Sequence, residues 1–337
     1  MGSPPYGNRC RLIPALFLLL AGLGCGHEAS SYNFRYAHSQ PPSHPRSKSM
    51  IFFEEEIEKR TSGRIQVETY FSGVLGIERD VMDMVATGVL QGTRGGLYVD
   101  ANIKYSIFEL PFLVEDWDQG LRLIYSDFTE GINREARRNG FHVPACGISQ
   151  GFRTNTSNVR PIRTLDDLKG LKIRVSPQEM FVFAWQAFGA NPHEIPFIEI
   201  YQAAQTGVID AVDNAASNLW EMKIHEVQKY MTVTNYAMGP DPMMINLAWY
   251  ERLPADLQQI LDEVSVETIR YSDQMNRESE GEYLRLLSQA LETNYVTGAD
   301  LAEFKKAAEP VYAHFVEKGY FTWDDIEEAR RAARGGK

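Results

Sequence analysis

Beyond Pro254 and as far as Glu292 the chain carries no proline, and Leu257, Ile260, Leu261, Val264, Ile269, Met275, Leu284 and Leu287 largely follow helical spacing. A helix of that length outruns a single small lobe. It is expected either to lie across two lobes as a brace or to offer an interface to a second copy of the chain. The rest of the sequence also asks for two lobes, because strand and helix patterns alternate in two separate series. With 337 residues, 44% of them hydrophobic, there is material for two cores.

In the first series, Tyr32 to His38 reads as a strand, and a proline-rich loop from Gln40 to Pro45 follows it. Ser47 to Thr61 predicts a helix with Met50, Ile51, Phe53 and Ile57 near one face. Arg64 to Tyr70 alternates as a strand, and Gly76 to Thr87 is helical again. Val89 to Tyr98 predicts a weak strand interrupted by Gly92, Gly95 and Gly96, and Phe141 to Gly147 another strand. From Gly151 a connecting stretch leads to a short helix from Leu165 to Gly170, with Thr164 as its N-cap. The second series follows: strand Leu171 to Val175, helix Glu179 to Gly189, strand Glu194 to Pro196, helix Phe197 to Thr206 and strand Val208 to Val212.

The first residues read as an export signal, with Arg9 and Arg11 ahead of an apolar run from Leu12 to Gly24 that is too short to span a bilayer. Cys25 follows Gly22-Leu23-Gly24, a partial lipoprotein box, so lipid attachment at Cys25 and simple cleavage nearby both remain open. Cys10 and Cys25 belong to this segment. Cys146 is left alone, so the exported fold is expected to stand without a disulfide, with Cys146 as a buried apolar residue.

Charge and motifs exclude several chemistries. A net charge of -11 gives no general attraction to nucleic acid, and any bound anion needs a few local cations in an enclosed site. Gly147-Ile148-Ser149-Gln150-Gly151 fits the G-x-S-x-G nucleophile elbow, but the polar run Phe152 to Asn158 lacks the helix that the elbow requires. Ser149 reads better as a strand-end or hinge residue, and a secreted hydrolase is the minor alternative. None of the seven histidines has metal-ligand spacing, and the glycines around Gly92 form no phosphate loop, so neither metal nor cofactor is expected.

Four segments in order carry a resemblance: Asp167 to Val175 (DLKGLKIRV), Gly189 to Pro192 (GANP), Glu199 to Gly207 (EIYQAAQTG) and Asp210 to Asn214 (DAVDN). They resemble the solute-binding proteins of tripartite ATP-independent periplasmic (TRAP) transporters. Flanking matches at Ala37-His38, Leu75-Gly76 with Arg79, Leu110-Pro111-Phe112, Val227 to Tyr230 and Leu253-Pro254 extend the likeness over nearly the whole exported chain. The resemblance implies a two-lobe α/β fold, periplasmic-binding-protein-like and type II-like. Each lobe would hold a mixed sheet, and the long C-terminal helix would brace both. The expected division is 1–25 as signal, 31–150 plus about 240–279 as the first lobe, and 151–239 plus about 280–337 as the second. Hinges are expected at the Gly147 to Gly151 crossing and near Gly239-Pro240.

By the same resemblance Arg174 corresponds to the family's carboxylate-binding arginine, a role its planar, permanently charged fork suits. Arg153 takes a second basic position, Asn214 an orienting amide and Phe197 an aromatic against the ligand's carbon skeleton; a turn role for Asn214 and a core role for Phe197 are the alternatives. Glu78 opens a helix beside the cleft, where it either meets ligand or favours the helix N-terminus, and His38 is a further candidate. The chain departs from its relatives at Tyr236, where many have histidine, and at Arg94, set among glycines that could let substrate approach the backbone. Arg94 is either a third cation of the site or a residue turned to solvent or a lobe carboxylate. The implied function is capture of a small organic acid, a sugar acid or a C4-dicarboxylate, in the periplasm, and its delivery to the small and large membrane subunits of a transporter. A ligand sensor for a receptor would use the same fold. The protein is expected to be a monomer, with a dimer through the long helix as the alternative.

Overall fold

In the first series parallel strands β1 (Tyr32–Ala37), β2 (Ile65–Tyr70) and β3 (Gly92–Arg94) are joined through helices α1 (Pro45–Arg60) and α2 (Glu78–Ala86). The computed structural model describes Gly2 and residues 31 to 336; the leader with Arg9, Arg11 and Cys25 lies outside the described residues. Helix α1 begins earlier than its apolar pattern suggests. Pro45 takes the first helical position, where a missing N–H costs nothing, and the His44 ring accepts from Arg46 N at 3.1 Å. The weak strand from Val89 to Tyr98 shrinks to three residues, because Gly95 and Gly96 turn to positive φ directly after Arg94.

Helices α3 (Trp117–Ile124) and α4 (Asp127–Glu135) and strand β4 (Phe141–His142) lead into β5 (Cys146–Ser157). The second series is β6 (Lys172–Val175), α5 (Glu179–Ala187), β7 (Asn191–Glu194), α6 (Ile200–Gln205) and β8 (Ala211–Ala215), with β6 parallel to both β7 and β8. Then come α7 (Ala216–Glu221), β9 (Tyr230–Val233), β10 (Met238–Asn246), α8 (Leu247–Tyr250), α9 (Ala255–Ala290), β11 (Glu292–Tyr295), α10 (Gly298–Glu317) and α11 (Trp323–Ala333). The strand order β2-β1-β3-β10-β5-β8-β6-β7 places two long antiparallel strands, β10 and β5, between the parallel triplets, so each half has a mixed sheet.

The chain after Gly151 is not a connecting stretch: β5 runs on to Ser157. Thr154, Asn155, Thr156 and Ser157 are all buried there. Polar side chains are tolerated in this central position because neighbours bond them, Thr154 Oγ1 to Thr232 O at 2.7 Å and Asn155 Nδ2 to Asp213 Oδ1 at 3.4 Å. Both crossing strands are irregular near one another, β5 at Gln150 and Gly151 with φ of 64° and 92°, and β10 by a register shift between Met238 and Pro240. Ser149 is followed by strand rather than helix, so the nucleophile-elbow geometry does not form.

Helix α9, 36 residues and so about 54 Å long at ~1.5 Å per residue, lies along both halves. Leu257, Leu261, Val264 and Ile269 enter the core beneath α1, while Leu287 enters the second core beside α6 and α7. Between them, Asp273 Oδ1 accepts from Ile148 N and Glu280 Oε1 from Phe152 N, each at 2.8 Å, which ties the helix to the crossing strand. The last segment divides: α10 packs on α5, whereas α11 packs on α3 and α4, with Arg122 Nε donating to Ala333 O at 2.7 Å. The end of the chain thus packs with elements of the first lobe rather than the second. Cys146 is buried and forms no disulfide among the described residues.

Candidate functional site

Between the two halves, over the irregular part of β5, lies a cavity of about 590 Å³ that opens to solvent. Strand β6 brings Arg174 to its wall and β5 brings Arg153; Asn214 comes from β8, and Phe197 from the turn before α6. Glu78, the first residue of α2, reaches it from the other half. These five sequence-derived candidates therefore share one cavity, together with Gln40, Arg46, Tyr98, Ser149, Gln150, Gln178, Phe181 and Asn218.

Arg174 is 1% exposed. Its Nε donates to Ile195 O at 2.9 Å and its Nη1 lies 3.5 Å from Asp213 O. Among the described residues no carboxylate comes within 4 Å of it, unlike Arg153, whose Nη2 is 2.8 Å from Asp213 Oδ2 and whose Cζ stands 4.1 Å over the Phe181 ring. Burial, and after it the neighbouring Arg153, push the Arg174 pKa down to about 9. A buried, hydrogen-bonded cation without a counter-ion is poised for an anion, which would relieve its desolvation. The Asn214 carboxamide oxygen accepts from Ala215 N at 2.9 Å and Asn218 Nδ2 at 2.8 Å. That fixes the amide plane and leaves its nitrogen without a protein acceptor among the described residues.

The other candidates stand elsewhere. Tyr236 does not line the cavity: its hydroxyl donates to Asp213 Oδ2 at 2.8 Å and accepts from Trp185 Nε1 at 3.1 Å, so it holds the aspartate that holds Arg153. Arg94 is wholly buried and bound to Asp241 Oδ2 at 2.6 Å and Ser49 Oγ at 2.7 Å, with Ser272 Oγ at 3.1 Å. Of the two possibilities the sequence left open for Arg94, the lobe carboxylate is the one formed. Among the described residues its Nε has no partner, and it borders a second chamber of about 340 Å³, open to solvent. His38 lines that chamber too, between Tyr36 Oη at 2.7 Å and Ser47 Oγ at 2.8 Å; burial, and then Arg46, hold its pKa well below the usual imidazole range.

Sequence reasoning missed Arg46, Asp213, Gln40 and Gln178. Arg46 hides behind three prolines in what reads as a loop, and Asp213 lies inside the matched DAVDN segment one residue before the asparagine that drew attention. The glycines also act differently from the expectation. A Cβ on Gly95 would sit 2.6 Å from Arg46 Nη1, and one on Gly96 would sit 3.2 Å from Glu78 Cγ. The space above them is used by two ionic side chains of the protein itself.

Residues 36–319 match the family described as bacterial extracellular solute-binding protein, family 7, or DctP. The chain is 26% identical over 289 residues to the C4-dicarboxylate-binding periplasmic protein DctP of Rhodobacter capsulatus, covering 84% of this chain and 86% of the relative. To the 2,3-diketo-L-gulonate-binding periplasmic protein YiaO of Escherichia coli it is 28% identical, covering 86% and 89%. The crystal structure of a TRAP periplasmic solute-binding protein from Desulfovibrio salexigens with bound orotic acid superposes with a TM-score of 0.85 at 25% identity, over 90% of this chain and 99% of that one. The galactonate complex of a sugar acid binding protein from Advenella mimigardefordensis shares the fold, with a TM-score of 0.86 at 20% identity over 91% and 99%. This two-lobe chain with its cleft arginine belongs to family 7 of the bacterial extracellular solute-binding proteins.

Proposed function

We propose that the chain binds a hydroxylated monocarboxylate of sugar-acid type in the periplasm and presents it to the membrane subunits of a TRAP transporter. The observation that carries this reading is Arg174: buried, oriented by Ile195 O, and without a carboxylate partner among the described residues, in a cavity between two lobes. Its fork suits one carboxylate. Arg153 strengthens the local field while remaining paired with Asp213, Asn214 offers an amide donor, and Phe197 and Phe181 supply apolar surface for a carbon skeleton. The rest of the lining is rich in neutral hydrogen-bonding groups, Gln40, Tyr98, Ser149, Gln150, Gln178 and Asn218, which suits hydroxyls. The relatives named above take a C4-dicarboxylate or 2,3-diketo-L-gulonate, and the two structures hold orotic acid and galactonate. All are carboxylates, and those relatives whose names give a compartment are periplasmic.

Binding is favoured over hydrolysis by the setting of Ser149. Its hydroxyl accepts from Arg46 Nη2 at 3.1 Å, the Gln150 carboxamide nitrogen stands 3.3 Å from it, and no histidine bonds to it among the described residues. It lacks the base that would activate a serine nucleophile. Calorimetric titration of organic acids into the parent and Arg174→Ala proteins tests the proposal. Arg174→Ala is expected to keep the fold and lose at least about 2 kcal/mol of binding, roughly 30-fold, with Arg174→Lys also weak because a point charge cannot reproduce the fork. Affinity within twofold of the parent would remove Arg174 from the site.

A further inference from the structure

The main cavity and the second chamber adjoin. Gln40, Arg46, Glu78 and Gly96 line both, so these residues stand where the two meet, at the passage from one lining to the other. At this passage the protein spends two adjacent left-handed glycines, Gly95 and Gly96, on making room for Arg46 and Glu78. A cation and an anion are thus set along one short stretch of backbone, yet among the described residues they form no ion pair with each other.

The hydrogen-bond inventory shows what each can still do. Of the five N–H groups of Arg46, Nε donates to Asp241 Oδ2 at 3.2 Å and Nη2 to Ser149 Oγ at 3.1 Å; Nη2 also stands 3.1 Å from Asp241 Oδ1 as an ion pair, but that oxygen accepts no hydrogen bond among the described residues. With its carboxamide oxygen turned to the guanidinium, Gln150 accepts from Nη2 at 3.0 Å and from Nη1 at 3.2 Å. One N–H on Nη1 remains. Glu78 uses Oε1 to accept from Phe197 N at 3.3 Å and keeps Oε2. Among the described residues Gln40, 93% buried, has its Oε1 without a donor, and buried Arg94 has its Nε without an acceptor. The passage therefore offers both donors and acceptors at close quarters. A hydroxyl both donates and accepts, so adjacent hydroxyls match this set, whereas a carboxylate there would meet Glu78 and the Gln40 oxygen as a like-charged, acceptor-only group.

We propose that Arg46 and Glu78, with Gln40, form a second recognition end that binds the distal hydroxyls of the ligand and rejects a second carboxylate. This rests on the reading that Arg174 holds the ligand's carboxylate. A sugar acid then lies along the cavity with its anionic end at Arg174 and its hydroxylated tail where the cavity meets the second chamber. The pair acts as a selectivity device: attraction for hydroxyls comes from both residues, and exclusion of dicarboxylates comes from Glu78.

Calorimetry with D-galactonate and succinate on the parent, Arg46→Met, Glu78→Gln and Arg174→Ala proteins tests it. Arg46→Met is expected to weaken galactonate at least about tenfold while moving succinate by less than about twofold. Glu78→Gln is expected to raise succinate affinity at least about fivefold and to lower that of galactonate, reversing part of the preference. Since Arg46 also neutralises Asp241, thermal melting checks that Arg46→Met folds; where it does not, Glu78→Gln decides alone, because Glu78 stands at the start of a helix and its amide keeps the bond to Phe197 N. An unchanged galactonate-to-succinate ratio in Glu78→Gln, with Arg174→Ala still abolishing binding, overturns the distal pair and leaves the carboxylate site standing. Parent protein that binds neither acid, or binds succinate more tightly than galactonate, overturns the ligand class and the distal pair together.

Discussion

Arg174 and Arg94 are both arginines on sheet strands with apolar surroundings, and both are almost completely buried, yet among the described residues only one of them lacks a carboxylate partner. The difference lies in what stands opposite. Asp241 reaches Arg94 from β10, whereas Arg174 meets only main-chain oxygens of Ile195 and Asp213. Strand pattern cannot reveal such partners, because they come from segments far away in the chain; Arg174 was legible through its motif and Arg94 was not. Buried acids show the same dependence on setting. Glu109, held by the Tyr98 hydroxyl beneath the cavity, has its pKa pushed up to about 8 by burial, against the pull of Tyr98 and Arg153. The folded protein keeps this proton where the unfolded chain releases it. Its contribution is thus neutral at low pH, turns unfavourable as pH rises from the ordinary carboxyl range towards 8, and is constant above that. Glu109→Gln removes the titrating group, so the variant is expected to lose less stability than the parent between about pH 5 and about pH 8, by several degrees in Tm. Parallel melting curves for the two proteins would show that Glu109 is ionised in the fold.

At the scale of elements, helix α9 was plain in the sequence because it depends on local periodicity, and its observed span of Ala255–Ala290 falls inside the expected Pro254 to Glu292. The parallel strands were found with their edges displaced by up to four residues, as β3, β7 and β8 show. The second half of β5 was invisible for a physical reason: a strand whose buried side chains are polar and satisfied by its neighbours has no hydrophobic alternation to read. The join between these two elements is specific. Glu280 of α9 accepts from Phe152 N and, at 2.6 Å, from Trp117 Nε1, and a Cβ on Gly151 would strike its carboxylate and come within 3.0 Å of the Trp117 ring. Gly151 also has φ of 92°. Gly151→Ala is therefore expected to destabilise the protein by on the order of 2 kcal/mol or more in urea unfolding. Gly281, one residue beyond Glu280 on the same helix, has open space around its Cβ position, so Gly281→Ala should stabilise by about 1 kcal/mol. Equal effects from the two substitutions would mean that the crossing strand carries no strain relieved by glycine.

For the whole molecule, the long helix supplies a fixed spine along the back while bonds across the cleft hold the front. Ser43 Oγ donates to Glu221 Oε2 at 2.5 Å, Gln178 Nε2 to Gly96 O at 3.1 Å and Phe197 N to Glu78 Oε1 at 3.3 Å, and in each case one partner belongs to the first series of elements and the other to the second. Glu221 is anchored from behind by Tyr283 Oη of α9 at 3.0 Å, so the rim bond is tied to the spine. The largest core cluster likewise continues from Val81 and Leu123 through Ile148 and Phe152 to Ile173 and Trp185. A closed arrangement stabilised partly by such rim bonds affects affinity without touching ligand, because a ligand that favours the closed form draws on whatever free energy separates closed from open. Glu221 is outside the cavity lining. Glu221→Ala is accordingly expected to weaken binding of every acid by the same factor, about three- to tenfold, and to do so through faster dissociation in stopped-flow measurements. Scattering should at the same time show a larger radius of gyration for the variant at subsaturating ligand. A loss confined to one ligand would place Glu221 in recognition rather than closure, and no loss at all would mean that the spine and the crossing strands alone determine the balance between open and closed forms.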